Sequence, residues 1–313
     1  MDRRPRRPVV LVTGASSGLG LAVLRRLYNQ SVHVVATARV ASLPRFAAMG
    51  IRPGPTLALL PLDVTDADQR RDVLAQVEQR FGGVDVLINN AGVAYRSVVE
   101  QVTEAERLTQ MDVNFLAPMA LARLVLPHMR AQRWGRIINV SSVGGMMAMP
   151  TMAVYSASKF ALEGASEALW YEVRPWNVHV TLVQPGFISS ESFKNTRFTA
   201  ASRCATADRR DPYHEHYANM GPFIAKIMRL ARATPDTVAR RIVRTLDARR
   251  PPLRVPATLD AYLFAALRRL LPRGLYHRAL YGALPGVRRW GPHETEATPA
   301  VAPLANPTAD RPR

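Results

Sequence analysis

Cysteine is nearly absent from this sequence: Cys204 is the single cysteine among 313 residues. A lone cysteine cannot form a disulfide bond within the chain, and this fits a reducing compartment. No motif around Cys204 marks it as a nucleophile, so we do not expect cysteine catalysis. The sequence therefore predicts a cytoplasmic protein.

Long apolar runs are also lacking. No run is long enough to cross a bilayer, and the apolar stretch at 9–12 is too short for the core of a signal peptide. The basic N-terminal arm, residues 1–7, leads directly into that stretch. Hydrophobic residues still make up 48% of the chain, enough for a sizeable core. The length favours one domain, which we place at residues 8–257.

Acidic residues are few, because 24 Asp and Glu stand against 42 Lys and Arg and leave a net charge of +18. Between residues 240 and 290, twelve arginines accompany only Asp247 and Asp260. Such a balance attracts acidic partners. The basic residues are not interleaved with aromatics and belong to no nucleic-acid recognition module, so we expect nucleic acid not to be the partner.

Short apolar runs rich in β-branched residues alternate with segments of helical periodicity. The runs predict strands at 9–13, 32–37, 57–62, 84–89, 136–141 and 178–183. Helices are predicted at 19–28, 104–131 and 153–173, and a further one runs to Phe81 from a capping box formed by Thr65 and Asp68. We expect Pro118 and Pro127 to kink the 104–131 helix.

This rhythm predicts an α/β fold of the Rossmann type, a doubly wound parallel sheet with helices on both faces. The expected strand order is 3-2-1-4-5-6, with a seventh strand near 253–255. After residue 186 the alternation stops, and 187–233 reads as a loop-rich segment of the kind that encloses a substrate. Residues 236–248 are predicted to be helical again.

The C-terminal part begins with a basic amphipathic extension at 258–290. Its pattern predicts one or two helices, broken near residues 272–274. Such an extension can lie in a membrane surface, cover the substrate site or form a subunit interface. The tail, 291–313, is rich in Pro, Ala and Thr and is predicted to be disordered.

A glycine-rich turn, residues 13–20 with the sequence TGASSGLG, joins the first strand to the first helix. Glycines allow a tight turn and let the backbone approach a pyrophosphate. The helix N-terminus behind them offers unpaired N–H groups and the positive end of a dipole. The turn therefore predicts a nucleotide site, since it lies between a strand and a helix.

Further motifs follow in a fixed order. They are NNAG at 89–92, Asn114 in MDVNFLAP, Ser142 in NVSSVGG, Tyr155 and Lys159 in YSASK, and Pro185-Gly186 after the sixth strand. Over residues 8–190, the chain resembles the short-chain dehydrogenase/reductase family. The words GRIINVSSVGG and VYSASKFALEG look most like the hydroxysteroid and retinol dehydrogenase branch.

The resemblance implies an oxidoreductase that uses a nicotinamide cofactor. Asp63 would meet the adenine amine, or else cap a helix. At the family's acidic position stands the neutral Ala38, followed by Arg39, whose fork suits a 2′-phosphate. We therefore expect NADP(H) rather than NAD(H). The implied cofactor contacts are Gly14, Ser16, Ser17, Gly18, Leu19, Gly20, Arg39, Asp63, Val64, Asn90, Ala91, Gly92, Tyr155, Lys159, Pro185, Gly186, Ile188 and Ser190.

The catalytic set expected from these motifs is Ser142, Tyr155, Lys159 and Asn114. Tyr155 and Lys159 share one face of a helix because they are four residues apart. The ammonium of Lys159, together with the positive oxidised nicotinamide, is expected to lower the pKa of Tyr155, so that Tyr155 can exchange a proton with the substrate oxygen. Ser142 would donate a hydrogen bond to that oxygen. By the resemblance, Asn114 holds a water in the proton relay.

The expected substrate is a bulky apolar carbonyl or alcohol, such as a steroid, retinoid or long-chain ketone. Methionines follow Ser142 where the family lines its pocket, although they could simply be core residues. They are Met146, Met147, Met149 and Met152. Two alternatives remain open: a 3-oxoacyl-thioester reductase acting on acyl-carrier protein, and a nucleotide-binding interaction protein without turnover.

No metal site is expected, because His214 and His216 lack further ligands at a suitable spacing. The family often assembles through its two long helices, so the resemblance implies a dimer or tetramer built on 104–131 and 153–173.

Overall fold

The structure is a computed structural model that describes residue 5 and residues 7–189 and 196–291. Its centre is a seven-stranded parallel sheet. The strands of this sheet are β1 (Val9–Val12), β2 (His33–Ala38), β3 (Leu57–Pro61), β4 (Val86–Asn89), β6 (Gly135–Val140), β7 (Val178–Gln184) and β9 (Arg254–Pro256). They lie side by side in the order β3-β2-β1-β4-β6-β7-β9. Counted within this sheet, the predicted order 3-2-1-4-5-6 is confirmed, and β9 is the predicted seventh strand.

A separate small sheet was not predicted. β5 (Tyr95–Arg96) and β8 (Arg197–Phe198) pair in parallel, and Tyr95 lies opposite Arg197. Both strands have two residues, too few to show an alternating pattern in sequence.

Helices cover both faces of the central sheet. They are α1 (Gly18–Leu27), α2 (Pro44–Ala48), α3 (Ala67–Phe81), α4 (Glu104–Met111), α5 (Ala117–Gln132), α6 (Ala153–Val173), α7 (Ala200–Ala207), α8 (His214–Leu230), α9 (Pro235–Asp247), α10 (Leu259–Leu270) and α11 (Arg273–Gly282). Side chains of β1 point alternately to two cores. Val10 and Val12 join the core beneath α1 and α9, whereas Val9 and Leu11 join the one beneath α3 and α5.

The predicted helix at 104–131 is divided. A π-helical segment, Asp112–Leu116, separates α4 from α5. Pro118 lies in the first turn of α5, which continues directly from the π-helical segment, and Pro127 lies inside α5. The interruption therefore precedes both prolines, and it contains the candidate site residue Asn114.

The predicted capping box at Thr65 is wrong by one residue. Asp66 caps α3, and its carboxylate accepts hydrogen bonds from the backbone N–H groups of Asp68 and Gln69. The hydroxyl of Thr65 instead donates to Asp63. Aspartate and threonine both cap helices, so composition alone did not separate them.

The prediction of a loop-rich segment at 187–233 is also wrong, because α7 and α8 occupy much of it. The buried stripe of α8 consists of Tyr217, Met220 and Ile224. Pro222 stands within the same helix and weakens its sequence signal. The hydroxyl of Tyr217 accepts from the backbone N–H of Val98 at 2.9 Å and ties α8 to the body of the domain.

The helices predicted at 236–248 and within 258–281 are confirmed as α9, α10 and α11, and the break falls at Pro272. No helix among the described residues has the length and apolar character to cross a membrane. Most of the predicted basic arm, and the predicted disordered tail beyond Gly291, lie outside the described residues.

Candidate active site

The glycine turn after β1 is a backbone cradle. Gly14 and Gly18 have φ angles of +65° and +54°, which side chains rarely tolerate. At Gly20 the constraint is the space available for a side chain rather than the backbone angle. A Cβ atom there would lie 2.2 Å from the carbonyl oxygen of Gly14 and 2.6 Å from Nδ2 of Asn90. The turn can therefore close only with glycine at this position.

Thr13 and Asn90 lock this turn to the loop after β4. The Thr13 hydroxyl accepts hydrogen bonds from the N–H groups of Asn90, at 2.9 Å, and Ala91, at 3.0 Å. In return, Asn90 Nδ2 donates to the carbonyl oxygens of Thr13, at 2.9 Å, and Gly14, at 3.1 Å. Two neighbouring strand ends are thus held together at the carboxyl edge of the sheet, where open parallel sheets bind ligands.

The residues of the cradle fit the pyrophosphate of a dinucleotide. Ser17 is the N-cap of α1, and its side chain forms no capping hydrogen bond. Ser16 is buried beside it, and Leu19 packs against the core from the first turn of the helix. The helix therefore presents backbone donors and the positive end of its dipole beside a turn in which Gly14, Gly18 and Gly20 add no side chains.

Three further cofactor candidates follow β2 and β3. Arg39 comes directly after β2 and is exposed. Asp63 accepts hydrogen bonds from the backbone N–H and the hydroxyl of Thr65 through one carboxylate oxygen. It does not cap α3, so the alternative role considered for Asp63 is wrong. Val64 is buried in the core.

Tyr155 and Ser142 face each other across the end of β6. The Ser142 hydroxyl accepts a hydrogen bond from the backbone N–H of Gly144 at 3.0 Å. A Cβ atom at Gly144 would lie 2.9 Å from the ring of Tyr155, so the missing side chain lets the tyrosine approach. Tyr155 itself is partly exposed, as a group that meets a substrate must be.

Lys159 is buried one helical turn after Tyr155. Its ammonium donates to the carbonyl oxygen of Val140 at 2.8 Å, at the end of β6. Burial lowers the pKa of Lys159 to about 8, and the negative charge of Glu163 opposes that shift. Lys159 is therefore mostly an ammonium at neutral pH.

Burial raises the pKa of Tyr155, and its hydrogen bond with Ser142 acts in the opposite direction. The expected lowering of this pKa is thus not found for the protein by itself, because the cost of desolvating a phenolate outweighs the contacts that protein groups provide.

Asn114 is completely buried in the π-helical segment. Its side-chain oxygen accepts from the N–H of Val93 at 2.9 Å, while Nδ2 donates to the carbonyl oxygen of Val93 at 2.8 Å and to the Ser158 hydroxyl at 3.0 Å. A Cβ atom at Gly92 would lie 3.3 Å from Asn114 Oδ1 and 4.0 Å from Lys159 Nζ. The side chain of Asn114 therefore fixes the loop beside Lys159.

The loop after β7 is held by the C-terminal extension. The N–H of Gly186 donates to the Thr258 hydroxyl at 2.8 Å, and the N–H of Phe187 donates to Asp260 at 2.8 Å. A Cβ atom at Gly186 would lie 1.8 Å from Asp260, which explains the glycine after Pro185. Ile188 packs against the core. The candidate Ser190 lies outside the described residues.

The extension also covers the methionine segment. Met146 and Met147 are buried in a cluster with Tyr276 of α11, and Met149 and Phe264 pack against it. The 258–290 extension thus contacts the segment that follows Ser142.

The two histidines of the DPYHEHY stretch make other contacts. His214 is hydrogen-bonded to the carbonyl oxygen of Ala205, and the ring of His216 lies against that of Trp290, tilted by 31°. Within residues 7–189 and 196–291, no group of three or more His, Cys, Asp or Glu side chains could hold a metal ion.

Sequence reasoning missed the supports of the site. Thr13 and Ser158 lie inside the motifs that were recognised, so their side chains could have been found there. Thr258 and Asp260 carry no local signal, because the backbone that they hold is distant in sequence. Glu163 follows Lys159 by one helical turn, and that spacing was a usable signal.

The chain matches known proteins over most of its length. The family model described as short chain dehydrogenase matches residues 8–200. A 3-ketodihydrosphingosine reductase from Bacteroides thetaiotaomicron is 35% identical over 277 residues, covering 87% of this chain and 96% of that protein. Human retinol dehydrogenase 8 is 34% identical over 252 residues, covering 78% of this chain and 79% of that protein.

A solved structure agrees with this relationship. The crystal structure of a short-chain dehydrogenase from Streptomyces avermitilis superposes with a TM-score of 0.71 at 31% identity, covering 88% of this chain and 98% of that one. With the Rossmann-type sheet, the glycine cradle and the paired Tyr155 and Lys159 at one sheet edge, these matches identify the chain as a member of the short-chain dehydrogenase family, an oxidoreductase that uses a nicotinamide cofactor.

Proposed function

We propose that the protein interconverts a bulky apolar ketone or aldehyde and its alcohol with NADP(H), and that Tyr155 is the general acid and base. The observation that carries this proposal is the convergence of Ser142, Tyr155 and the buried ammonium of Lys159 beside the cradle. When bound, the cofactor would supply or accept the hydride, and its oxidised form would add a positive charge at the site.

In the proposed mechanism, the Ser142 hydroxyl donates a hydrogen bond to the substrate oxygen and orients it. Tyr155 donates its phenolic proton to that oxygen during reduction and takes the proton back during oxidation. Lys159 stabilises the resulting phenolate by its charge. Asn114 has a positioning role, since its side chain holds the loop at Val93 beside Lys159.

NADP(H) preference rests on Arg39. Its exposed guanidinium follows β2, next to the neutral Ala38, and can donate two charge-assisted hydrogen bonds to a 2′-phosphate. Replacing Arg39 by Ala should weaken NADPH binding at least about tenfold and change NADH binding little. Arg52→Ala is a matched control, because Arg52 is exposed and precedes β3 at the opposite edge. An unchanged ratio of NADPH to NADH affinity in Arg39→Ala would refute the assignment.

A bulky apolar substrate is supported by the methionine cluster. Met146 and Met147 come shortly after Ser142 and are enclosed by Tyr276 and Phe264 of the extension. Unbranched methionines adapt to irregular apolar shapes. Two of the relatives, a retinol dehydrogenase and a 3-ketodihydrosphingosine reductase, carry names of apolar substrates.

The test is NADPH oxidation with a panel of steroid, retinoid, long-chain aliphatic and acyl-thioester carbonyls. We expect turnover with at least one of the first three classes and its loss in Tyr155→Phe. Turnover with the acyl thioester alone would refute the apolar substrate and favour an acyl-carrier-protein reductase. Binding of NADPH without turnover on any member would contradict the proposed function and favour a binding protein.

Contact with a membrane surface is a second part of the proposal. Leu259 and Leu270 of α10 are 87% and 78% exposed, and Arg268 and Arg269 lie on the same helix. Apolar side chains beside arginines suit the boundary of an anionic bilayer. Leu259→Gln with Leu270→Gln should reduce co-sedimentation with phosphatidylglycerol vesicles, whereas Leu108→Gln on α4 should not. Equal binding by the unmodified protein, the double variant of α10 and Leu108→Gln would refute this contact.

Self-assembly is proposed through the long helices. Leu116 beside α5 and Tyr171 on α6 are 50% and 63% exposed, so apolar surface is available on these elements. Light scattering should give the mass of a dimer or tetramer, and Tyr171→Asp should reduce it. A monomeric mass for the unmodified protein would refute assembly.

A further inference from the structure

A cavity of about 460 Å³ lies between α1 and α9, away from the candidate active site. Four arginines line it: Arg25 and Arg26 from the last turn of α1, and Arg240 and Arg244 from α9. Among the residues that line the cavity, Asp247 is the only acidic one. Its volume lies within the range of about 300–1,000 Å³ that is usual for ligand sites.

The cavity is at the amino edge of the sheet. α1 begins at the glycine cradle and has 10 residues, so its C-terminal turn is about 15 Å away. α9 ends shortly before β9 begins, so the C-terminal end of α9 is also at the amino edge of the sheet. The cavity is therefore separate from Arg39 and from the cradle, which lie at the carboxyl edge.

The four guanidinium groups repel one another, and the single negative charge of Asp247 leaves the lining side chains with a net charge of +3. Arg240 and Arg244 are four residues apart on one helix face, a spacing at which like charges repel. Arg26 pairs with Asp236, which lies outside the lining, and Arg25 contacts the sulfur of Met49. A favourable interaction with a helix C-terminus can account for Arg25, Arg26 and Arg244, which lie in last turns, but not for Arg240, which lies one turn earlier on α9.

The floor and rim give the site its shape. Val243 is buried beneath the arginines of α9, so they stand around a fixed apolar base. Asn29 and Gln30 add neutral amide donors at the rim. Arginine forks match phosphate oxygens in pairs, and amides can complete the hydrogen bonds.

We propose that this cavity binds a phosphate-bearing anion with two or more adjacent negative charges, as an anion site distinct from the cofactor site. Such a ligand can be a soluble polyphosphate or the phosphomonoester headgroup of a lipid. Both offer the same chemistry to the four arginines.

Calorimetric titration of the full chain with tripolyphosphate tests the proposal. We expect saturable binding of one ligand per chain. In the cavity variant, Arg240→Gln with Arg244→Gln, binding should be at least about tenfold weaker. The matched control, Arg209→Gln with Arg210→Gln, removes two exposed arginines elsewhere and should change binding less than about twofold. Thermal melting of each variant checks that the fold is retained.

Vesicles of phosphatidylcholine with and without phosphatidic acid distinguish a lipid headgroup from a soluble polyphosphate as the ligand. Co-sedimentation that needs phosphatidic acid and is lost in the cavity variant alone assigns a lipid headgroup. Saturable tripolyphosphate binding without such co-sedimentation assigns a soluble ligand. Equal weakening in both double variants would show a response to net charge alone and overturn the site. Absence of saturable tripolyphosphate binding, with vesicle binding that the cavity variant retains, would also overturn it.

Discussion

Replacing Glu163 by Gln should shift the pH dependence of the enzyme without removing a group that touches substrate. The Glu163 carboxylate is buried one helical turn beyond Lys159. It accepts from Gln184 Nε2 at 2.9 Å and from Arg254 Nε at 2.9 Å. Glutamine keeps the shape of the side chain and one of these acceptors, so the main loss is the negative charge beside Lys159.

The size of the shift follows from Coulomb's law. Side chains four residues apart on a helix lie about 6 Å from each other. With an effective dielectric constant of about 20 to 40, the attraction is about 1.4 to 2.8 kcal/mol. This corresponds to about 1 to 2 pH units. The pKa of Lys159, about 8 in the unmodified protein, should therefore fall toward neutrality in Glu163→Gln.

The assay is the pH profile of kcat/KM for NADPH, which reports ionisations of the free enzyme. Because burial raises the pKa of Tyr155, the loss of activity at alkaline pH should follow deprotonation of Lys159. We expect that limb near pH 8, displaced to lower pH in Glu163→Gln. Glu167→Gln is the matched control, since Glu167 pairs with the same Arg254 but lies two turns from Lys159. An unmoved limb in Glu163→Gln, or an equal displacement in Glu167→Gln, would show the reasoning to be wrong.

Three further outcomes are expected. Gly20→Ala should weaken NADPH binding, measured by fluorescence titration, at least about tenfold because its Cβ would overlap the glycine turn; Gly164→Ala, with open space around it, should bind normally and melt no lower, and equal binding by both would contradict this. Lys159→Met should abolish turnover yet raise the free energy of unfolding in urea by about 2 kcal/mol at pH 7, because removing a buried ammonium gains about 3 kcal/mol and the lost hydrogen bond to Val140 costs about 1 kcal/mol. Since the pKa of Lys159 is lower in the folded than in the unfolded chain, this gain should persist below pH 8 and fade above it. A difference in unfolding free energy that does not depend on pH would count against desolvation as the cause. Asp66→Ala should lower that free energy by about 1 kcal/mol through the lost helix cap, and an unchanged urea midpoint would mean that the cap contributes nothing.

The central sheet and the motif-bearing residues could be predicted because their signals are local. The strands are short buried runs, and Tyr155 with Lys159, or Gly14 with Gly20, lie within a few residues of each other. Periodicity and turn chemistry act over the same distances. The parallel order then follows from general rules of chain connection rather than from particular residues.

What could not be predicted depends on contacts between distant segments. Arg254 meets Glu163 across 91 residues, and nothing near either residue marks that pairing. The same holds for the small sheet of β5 and β8, whose strands are too short for a pattern. The effect of burial, which raises the pKa of Tyr155 in the protein by itself, was also missed, because desolvation depends on how closely the surrounding chain packs.

The clamp on the loop after β7 has a consequence for the order in which the protein is completed during synthesis. Thr258 and Asp260 are made 72 and 73 residues after the backbone groups that they hold. Because chains emerge N-terminal end first, the six strands of the sheet that precede Gly186 and the glycine cradle can assemble while this clamp is still inside the ribosome. Cofactor-binding structure can thus form early, whereas the loop at Gly186 is fixed only when the last helices emerge. A ribosome-bound chain that ends before Thr258 would therefore hold the glycine cradle in order, while the loop at Gly186 would lack the two side chains that fix it.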